Sequence, residues 1–124
     1  MIGYVTLGTN DLPRAVAFYD ALIGGMGGKR FMETETFVAW VTNPEAAGLS
    51  VTKPFDGQPA TVGNGVMVAL DAPNPAEVDR LHALALSLGA TDEGAPGLRG
   101  SGFYCAYFRD LDGNKLNFFC FTGG

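Results

Sequence analysis

An apolar pattern near the start of the chain recurs 63 positions later, and this repeat decides the fold. Residues 2–23 read IGYVTLGTNDLPRAVAFYDALI, and residues 65–86 read GVMVALDAPNPAEVDRLHALAL. The apolar positions that the two copies share are Val5, Leu7, Ala15, Phe18 and Leu22, matched by Val68, Leu70, Val78, Leu81 and Ala85. A repeat of this length that occurs only twice is typical of one domain built from two equivalent modules. We place the modules at about residues 1–54 and 64–122 and expect them to enclose a cleft.

The first module is predicted to run strand, helix and then three strands. A strand-like run from Ile2 to Gly8 leads through Asn10-Asp11-Leu12-Pro13 into a helix that ends near Ile23. Asn and Asp are good N-caps and proline suits a first helical turn, so the helix start is well marked. Alternating apolar residues predict strands near Lys29–Glu33, Thr36–Thr42 and Leu49–Lys53.

The second module follows a polar connector, Pro54 to Asn64, and repeats the same order. Asn74 and Pro75 open its helix, which is predicted to reach about Leu88. Its strands are expected over Gly65–Leu70 and near Thr91–Glu93, Phe103–Arg109 and Lys115–Thr122. A hairpin turn at Asp110-Leu111-Asp112-Gly113 joins the last two strands. The segment from Gly94 to Gly102 is expected to be either a connector or a mobile lid. The predicted fold class is α+β: two βαβββ modules form a curved, mixed but mostly antiparallel sheet around a cleft, with the helices outside.

Composition narrows the classes of partner. The chain has 124 residues, a formal net charge of −5 and a pI near 4.6, so the basic footprint of a nucleic-acid-binding protein is absent. No run approaches the roughly 18 apolar residues of a membrane span, and no secretory signal is visible. Two cysteines are too few for a disulfide framework. We therefore expect a cytoplasmic protein without a membrane or nucleic-acid partner.

Strand alternation predicts which side chains face the cleft. Val5 and Leu7 should lie under the first helix, and Val66, Val68 and Leu70 under the second. The opposite parity gives Tyr4, Thr6, Gly8, Gly65, Met67, Ala69, Asn117, Phe119 and Phe121. Small residues mixed with aromatic and polar tips suit the wall of a pocket, and they suit equally a sheet packed against a partner subunit.

Two motifs resemble a known family. Ile2 to Gly8 followed by Asp11-Leu12-x-Arg14-Ala15-Val16-Ala17-Phe18-Tyr19 resembles the opening module of the vicinal oxygen chelate superfamily, and Arg109 to Asn117 resembles its closing hairpin. That superfamily includes glyoxalase I, extradiol dioxygenases, fosfomycin-resistance enzymes and bleomycin-resistance proteins. The resemblance implies the paired-module fold and a homodimer, but it leaves the substrate open.

The same resemblance implies where a metal would be held. The family's two histidines fall on Tyr4 and Met67, its closing glutamate on Asn117, and its remaining ligand within residues 50–54, which contain no histidine or carboxylate. Phenol, thioether and carboxamide do not form a donor set for zinc, iron or a hard divalent ion. We therefore expect no metal and no other cofactor.

The places of side chains on the predicted strands and helices indicate the remaining candidate site residues. Tyr4 is the best single candidate for a catalytic group, although any catalysis is itself open. The predicted ligand-binding set is Tyr4, Thr6, Trp40, Met67, Arg99, Tyr104, Asn117 and Phe119. His82, the single histidine, is expected on the helix side without a catalytic role, and Cys120 as a buried thiol on the face of Leu116 and Phe118.

Three functions remain open. The first is a metal-free binder of a small organic molecule, in the manner of the bleomycin-resistance branch. The second is an enzyme of lyase, isomerase or dioxygenase type, with an unconventional metal site or with acid–base chemistry through Tyr4. The third is an interaction module whose concave face is buried in a dimer.

Overall fold

The computed structural model describes residues 1–122, and these fall into two compact units. The first unit spans Met1–Gly63 and the second begins at Asn64. Within the described residues each unit holds one helix and one open four-stranded mixed sheet, which confirms the prediction of two βαβββ modules in an α+β fold. Neither helix is long and apolar enough to cross a membrane.

The first unit places its helix on one face of its sheet. Its elements are β1 (Tyr4–Gly8), α1 (Leu12–Gly24), β2 (Lys29–Glu33), β3 (Phe37–Val41) and β4 (Gly48–Thr52). The strand order is β1-β4-β3-β2. β1 runs parallel to β4, and the other neighbours are antiparallel.

The second unit has the same topology. Its elements are β5 (Val68–Asp71), α2 (Pro75–Ser87), β6 (Thr91–Leu98), β7 (Phe103–Arg109) and β8 (Lys115–Phe121). The strand order is β5-β8-β7-β6. β5 and β8 are parallel, and β8, β7 and β6 are antiparallel neighbours.

Helix capping fixes both helices at equivalent positions. α2 begins and ends 63 residues after α1, as the repeat predicts. The Arg14 backbone N–H donates to the Asp11 side chain at 3.1 Å, and the Glu77 backbone N–H donates to the Asn74 side chain at 2.9 Å. Gly89 follows α2 with a φ of +104°, a conformation that favours glycine, and it turns the chain toward β6.

The helices bury the apolar positions that define the repeat. In unit 1, Ala15, Phe18 and Leu22 are buried against the sheet, and in unit 2 Val78, Leu81 and Ala85 are buried likewise. Below α2, the rings of Phe108 and Phe118 stack at 5.3 Å between centroids. This stack is part of the core of the second unit.

Two strands have a boundary that differs from the prediction by three residues or more, and four others differ by one or two residues. β5 starts at Val68 rather than Gly65, so Val66 precedes the strand and is 59% exposed instead of lying under α2. β6 continues to Leu98, so most of the supposed loop from Gly94 to Gly102 is an edge strand. Register shifts between Asp92 and Gly97 let this glycine-rich segment pair with β7 despite its irregular sequence.

Within unit 1, the Asn10 side chain joins the loop between β1 and α1 to the connector. The Asn10 amide donates to the Ala60 carbonyl at 3.2 Å, and the Ala60 N–H donates to the Asn10 amide oxygen at 2.7 Å. A Cβ on Gly8 would lie 3.0 Å from the Cβ of Ala60, so the absence of a side chain at Gly8 permits this close approach. We call this arrangement the Asn10 clasp.

Candidate functional site

Each sheet presents one face to its helix, and we call the opposite face the open face, although several of its side chains are buried. Because side chains alternate along a strand and paired residues share a face, the strand register assigns every position. The open face of the first sheet carries Tyr4, Thr6, Lys29, Phe37, Ala39 and Ser50, and that of the second carries Ala69, Phe103, Cys105, Tyr107, Lys115, Asn117, Phe119 and Phe121.

On the first open face, Tyr4 and Thr6 occupy neighbouring outward positions of β1. The Tyr4 ring is 52% exposed and meets the edge of Phe37 at 6.1 Å. Thr6 Oγ1 lies 2.7 Å from Ser50 Oγ, and the Ser50 hydroxyl donates to the Val5 carbonyl at 3.0 Å. Since that bond uses the single proton of Ser50, the Thr6 hydroxyl is the donor of the pair, and its own oxygen keeps acceptor capacity.

Asn117 is the most unusual polar residue of the second open face. Its side chain is fully buried, at 0% exposure, yet neither amide atom has a hydrogen-bond partner among the described residues. Its cross-strand neighbour is Tyr107, whose pKa responds to hydrogen bonding with the Asn117 side chain, so the phenol lies beside the amide although the two groups do not meet the distance and angle criteria of a hydrogen bond. A buried amide without partners costs about 1–3 kcal/mol, so this position needs a functional or structural reason.

Tyr107 is held as a neutral phenol. The Cys105 thiol donates to its hydroxyl, with 3.3 Å between Sγ and Oη. The hydrogen bond with Cys105, followed by partial burial, raises the pKa of Tyr107, while hydrogen bonding with the Asn117 amide acts in the opposite direction. The hydroxyl beside Asn117 is therefore protonated at neutral pH.

Two cations flank the Tyr107 ring. Arg99 lies 5.7 Å from the ring centroid and Lys115 lies 5.4 Å from it, both within the range of cation–π attraction. Arg99 also donates to the Ala95 carbonyl at 2.7 Å, which folds its side chain back over β6. Gly97 makes room for it, because a Cβ there would lie 3.0 Å from an Arg99 nitrogen. Arg99 itself follows the end of β6, and its side chain lies back over that strand.

Three phenylalanines form an apolar cluster farther along the same face. The ring centroids of Phe103, Phe119 and Phe121 are separated by 5.3 to 6.0 Å. Phe121 is 72% exposed, so the cluster offers aromatic surface next to the polar positions. Apolar walls with few polar groups are typical of small-molecule sites.

Trp40 does not belong to an open face, contrary to the prediction. It alternates with Phe37 and Ala39 on β3, which turns its indole toward α1, where it is 1% exposed and contacts Tyr19 at 5.7 Å between ring centroids. Its indole N–H donates to Asp20 at 2.9 Å, and Arg30 donates to both oxygens of the same carboxylate. Trp40 is a core residue of unit 1.

The carboxylate under Trp40 should make unit 1 sensitive to acid. Hydrogen bonds from Arg30 hold the pKa of Asp20 below its ordinary value. Burial, the next largest influence, raises this pKa but does not outweigh them. A lowered carboxyl pKa adds stability above about pH 4, and this stability is lost as the pH falls through the folded-state pKa. Asp20→Asn should cost at most about 1 kcal/mol at pH 7, because the pair is more than a third exposed, and nothing near pH 2.

The emission of Trp40, the single tryptophan of the chain, reports this transition during urea unfolding at each pH. Asp20→Ala is the comparison variant, since it also leaves the buried indole N–H without its acceptor and should cost more at every pH. A loss in Asp20→Asn that is the same at pH 2 and pH 7 would contradict the role of the charge.

Tyr104 also lies on the helix side, which corrects its predicted place. It shares a face with Ala106 and Phe108, and its hydroxyl donates to the Asp79 carboxylate of α2 at 2.6 Å. This hydrogen bond to Asp79 is the main reason that the pKa of Tyr104 is raised. Tyr104 therefore links β7 to α2. Met67 precedes β5 and is 40% exposed.

The histidine and the two cysteines have distinct surroundings. His82 is buried on the helix side, as predicted, with Nε2 3.2 Å from both an Asp92 oxygen and the Tyr107 carbonyl. Both thiols are free and buried. Cys120 shares the helix side with Leu116 and Phe118, as predicted, whereas Cys105 faces the open side, so the two sulfurs point to opposite faces of the sheet.

Sequence analysis missed Tyr107, Lys115 and Cys105 as members of the second open face. Strand alternation alone carries the signal. Lys115 has the parity of Asn117 on β8, and Cys105 and Tyr107 have the parity opposite to the apolar pair Ala106 and Phe108 on β7.

The residues present do not fit a divalent metal. Within residues 1–122 no three His, Cys, Asp or Glu side chains come together as a metal-binding group. The Asn117 amide is a neutral donor, and its neighbour Tyr107 is flanked by the cations Arg99 and Lys115, which would repel a metal ion. The phenol of Tyr4 and the thioether of Met67 do not make up for the missing imidazoles and carboxylates. No chemical step is therefore assigned to a metal.

Comparison with known proteins places the fold in a family. A sequence model described as the Glyoxalase/Bleomycin resistance protein/Dioxygenase superfamily matches residues 1–118. Among solved structures, a glyoxalase/bleomycin resistance protein from Albidiferax ferrireducens is 37% identical with a TM-score of 0.87, covering 96% of this chain and 97% of that one. A hypothetical protein from S. aureus is 26% identical, with a TM-score of 0.74 and coverage of 96% and 91%.

A lactoylglutathione lyase from Agrobacterium tumefaciens shares the fold at 22% identity, with a TM-score of 0.72 and coverage of 96% and 92%. No curated protein sequence matches the chain.

Proposed function

We propose that this chain, which belongs to the Glyoxalase/Bleomycin resistance protein/Dioxygenase superfamily, binds a small organic molecule on the open face of its second sheet without a metal. The observation that carries the proposal is Asn117, a fully buried amide whose donor and acceptor find no hydrogen-bond partner within residues 1–122. A ligand that presents a donor and an acceptor side by side, such as a carboxamide or a lactam, would satisfy both atoms at once.

The surroundings of Asn117 support an aromatic or flat apolar body for this ligand. The cluster of Phe103, Phe119 and Phe121 provides ring faces on the same side of the sheet. Offset or edge-on packing of a ligand ring against these side chains adds to the area that binding buries. Tyr107 contributes a protonated hydroxyl next to the amide, which offers the ligand a further polar contact.

The charges beside Asn117 disfavour a cationic ligand. Arg99 and Lys115 flank Tyr107, and a cationic ligand would meet their repulsion. The same repulsion disfavours a metal ion, in agreement with the poor donor set. Binding therefore depends on hydrogen bonds and apolar contact rather than on metal coordination.

Three probes with one ring system and different head groups test the proposal: 2-naphthamide, 2-naphthoate and 2-naphthylmethylamine. In a titration followed by amide NMR, 2-naphthamide should shift the side-chain NH₂ resonances of Asn117 and the backbone resonances of β7 and β8. Asn117→Leu should weaken this binding about tenfold, equivalent to about 1.4 kcal/mol. The exposed Asn64→Leu, a matched control in the same unit, should leave it unchanged.

Two results would overturn the proposal. One is binding of 2-naphthamide that Asn117→Leu does not weaken. The other is one equivalent of zinc, iron, manganese or nickel in the purified protein that Asn117→Leu releases. Native mass spectrometry of the purified protein should instead show a bound organic molecule, and it also tests the predicted homodimer.

A further inference from the structure

We propose that the first unit holds a second ligand site, a cavity that takes an aromatic carboxylic acid and pairs its carboxylate with Lys29. The cavity has a volume of about 720 Å³, within the range of roughly 300–1,000 Å³ that is usual for small-molecule sites. It lies where the starts of β1 and β2 meet the turn between β3 and β4.

The walls of this cavity are largely apolar. Tyr4, Phe31, Val41 and Pro44 line it. Phe31 sits at a bulge of β2, between Arg30 and Met32, and its ring lies across the backbone of Gly48. A Cβ on Gly48 would be 2.9 Å from the Phe31 ring, so only glycine at this position leaves the ring its place in the wall. Two aromatic side chains, those of Tyr4 and Phe31, can then contact a ligand ring.

The charge in the cavity selects an anion. Its two cationic lining residues are Lys29 and Arg30, and no acidic residue lines it among those that the structure describes. The Arg30 guanidinium is already paired, at 2.6 Å from Asp20 and 2.8 Å from Glu33. Lys29 makes no ion pair within residues 1–122, so its ammonium is the group left to meet a carboxylate. Apolar walls with one such cation fit an aromatic acid.

This site is independent of the one proposed above. It uses residues of unit 1 alone, and it favours a carboxylate where the face around Asn117 favours a carboxamide. The same three naphthalene probes therefore separate the two sites. Either proposal can fail while the other holds.

The test is an NMR titration of the full chain with 2-naphthoate. The probe should shift resonances of Gly27, Lys29, Thr42 and Asn43, which surround the cavity. Lys29→Met should raise the dissociation constant at least tenfold, whereas Lys29→Arg, which keeps the charge, should change it less than threefold. Salt at 0.5 M should weaken binding to the unchanged protein and leave the residual binding of Lys29→Met nearly unaffected.

Control experiments distinguish recognition of the carboxylate by Lys29 from apolar binding alone. Asn117→Leu should bind 2-naphthoate in this cavity as the unchanged protein does. Binding of 2-naphthamide to the cavity with equal affinity, or an unaltered constant in Lys29→Met, would show that the cavity is an apolar hollow without charge recognition and would overturn the proposal. Shifts confined to β7 and β8 would overturn it as well.

Discussion

Phe118→Ala should lower the free energy of unfolding by about 3–5 kcal/mol, which is a large part of the stability of an ordinary domain. Phe118 is fully buried on β8, and its ring stacks on Phe108 at 5.3 Å under α2. Truncation removes the transfer free energy of the ring and leaves a cavity that the surrounding side chains fill only in part. Urea unfolding followed by circular dichroism at 222 nm measures the loss.

The matched control is Phe121→Ala, three residues along the same strand. Its ring lies on the open face and is 72% exposed, so its truncation should cost well under about 1 kcal/mol. Equal losses in the two variants would contradict the division of β8 into a helix side and an open side.

Asn117→Leu should raise the free energy of unfolding by about 1–3 kcal/mol, an unusual sign for a buried position. The side chains have similar volumes, and the substitution removes two buried polar atoms for which the described part of the chain offers no hydrogen-bond partner. The gain in stability should accompany the loss of 2-naphthamide binding, as expected where a site has been kept at the expense of the fold. Thermal and urea unfolding in the absence of ligand measure the gain.

Asn114→Leu is the internal comparison for this sign. Asn114 is also buried, but its amide donates to the Asp110 carboxylate at 3.1 Å in the β7–β8 turn. The same substitution should therefore destabilise the protein by about 1–3 kcal/mol. If both leucine variants lose stability, Asn117 is not an unsatisfied group, and the proposed function loses the observation that carries it.

The helices were predictable because local chemistry marks their ends. Asp11 and Asn74 cap α1 and α2, and proline follows each cap, so both starts are written in the sequence. Strands β2 and β7 also have the predicted bounds. β6 was predicted too short because Gly94, Pro96 and Gly97 are poor strand formers. The strand is extended by pairing with β7 through two register shifts, and no local sequence pattern encodes these shifts.

The site was harder to predict than the fold. Trp40 and Tyr104 were assigned to the cleft by strand parity and by family position, but their polar tips meet Asp20 and Asp79 on the helices. Such partners depend on how a helix packs against its sheet. Trp40 has the parity of the buried Val38 on β3, and Tyr104 has the parity of Phe108 on β7, so strand alternation places both side chains on the helix side. The unsatisfied state of Asn117 could not be predicted from the sequence, since it depends on whether any neighbour among residues 1–122 reaches hydrogen-bond geometry.

The Asn10 clasp affects how the chain responds to proteolytic cleavage. Phe55 is fully exposed in the turn that follows β4, so chymotrypsin should cut there first. The C-terminal fragment would carry Ala60, and with it the contacts to Asn10 and Gly8 of the N-terminal fragment. Two exposed hydrogen bonds of about 1 kcal/mol each do not hold two fragments together, so we expect the clasp only to slow their separation, and Asn10→Ala should make that separation faster.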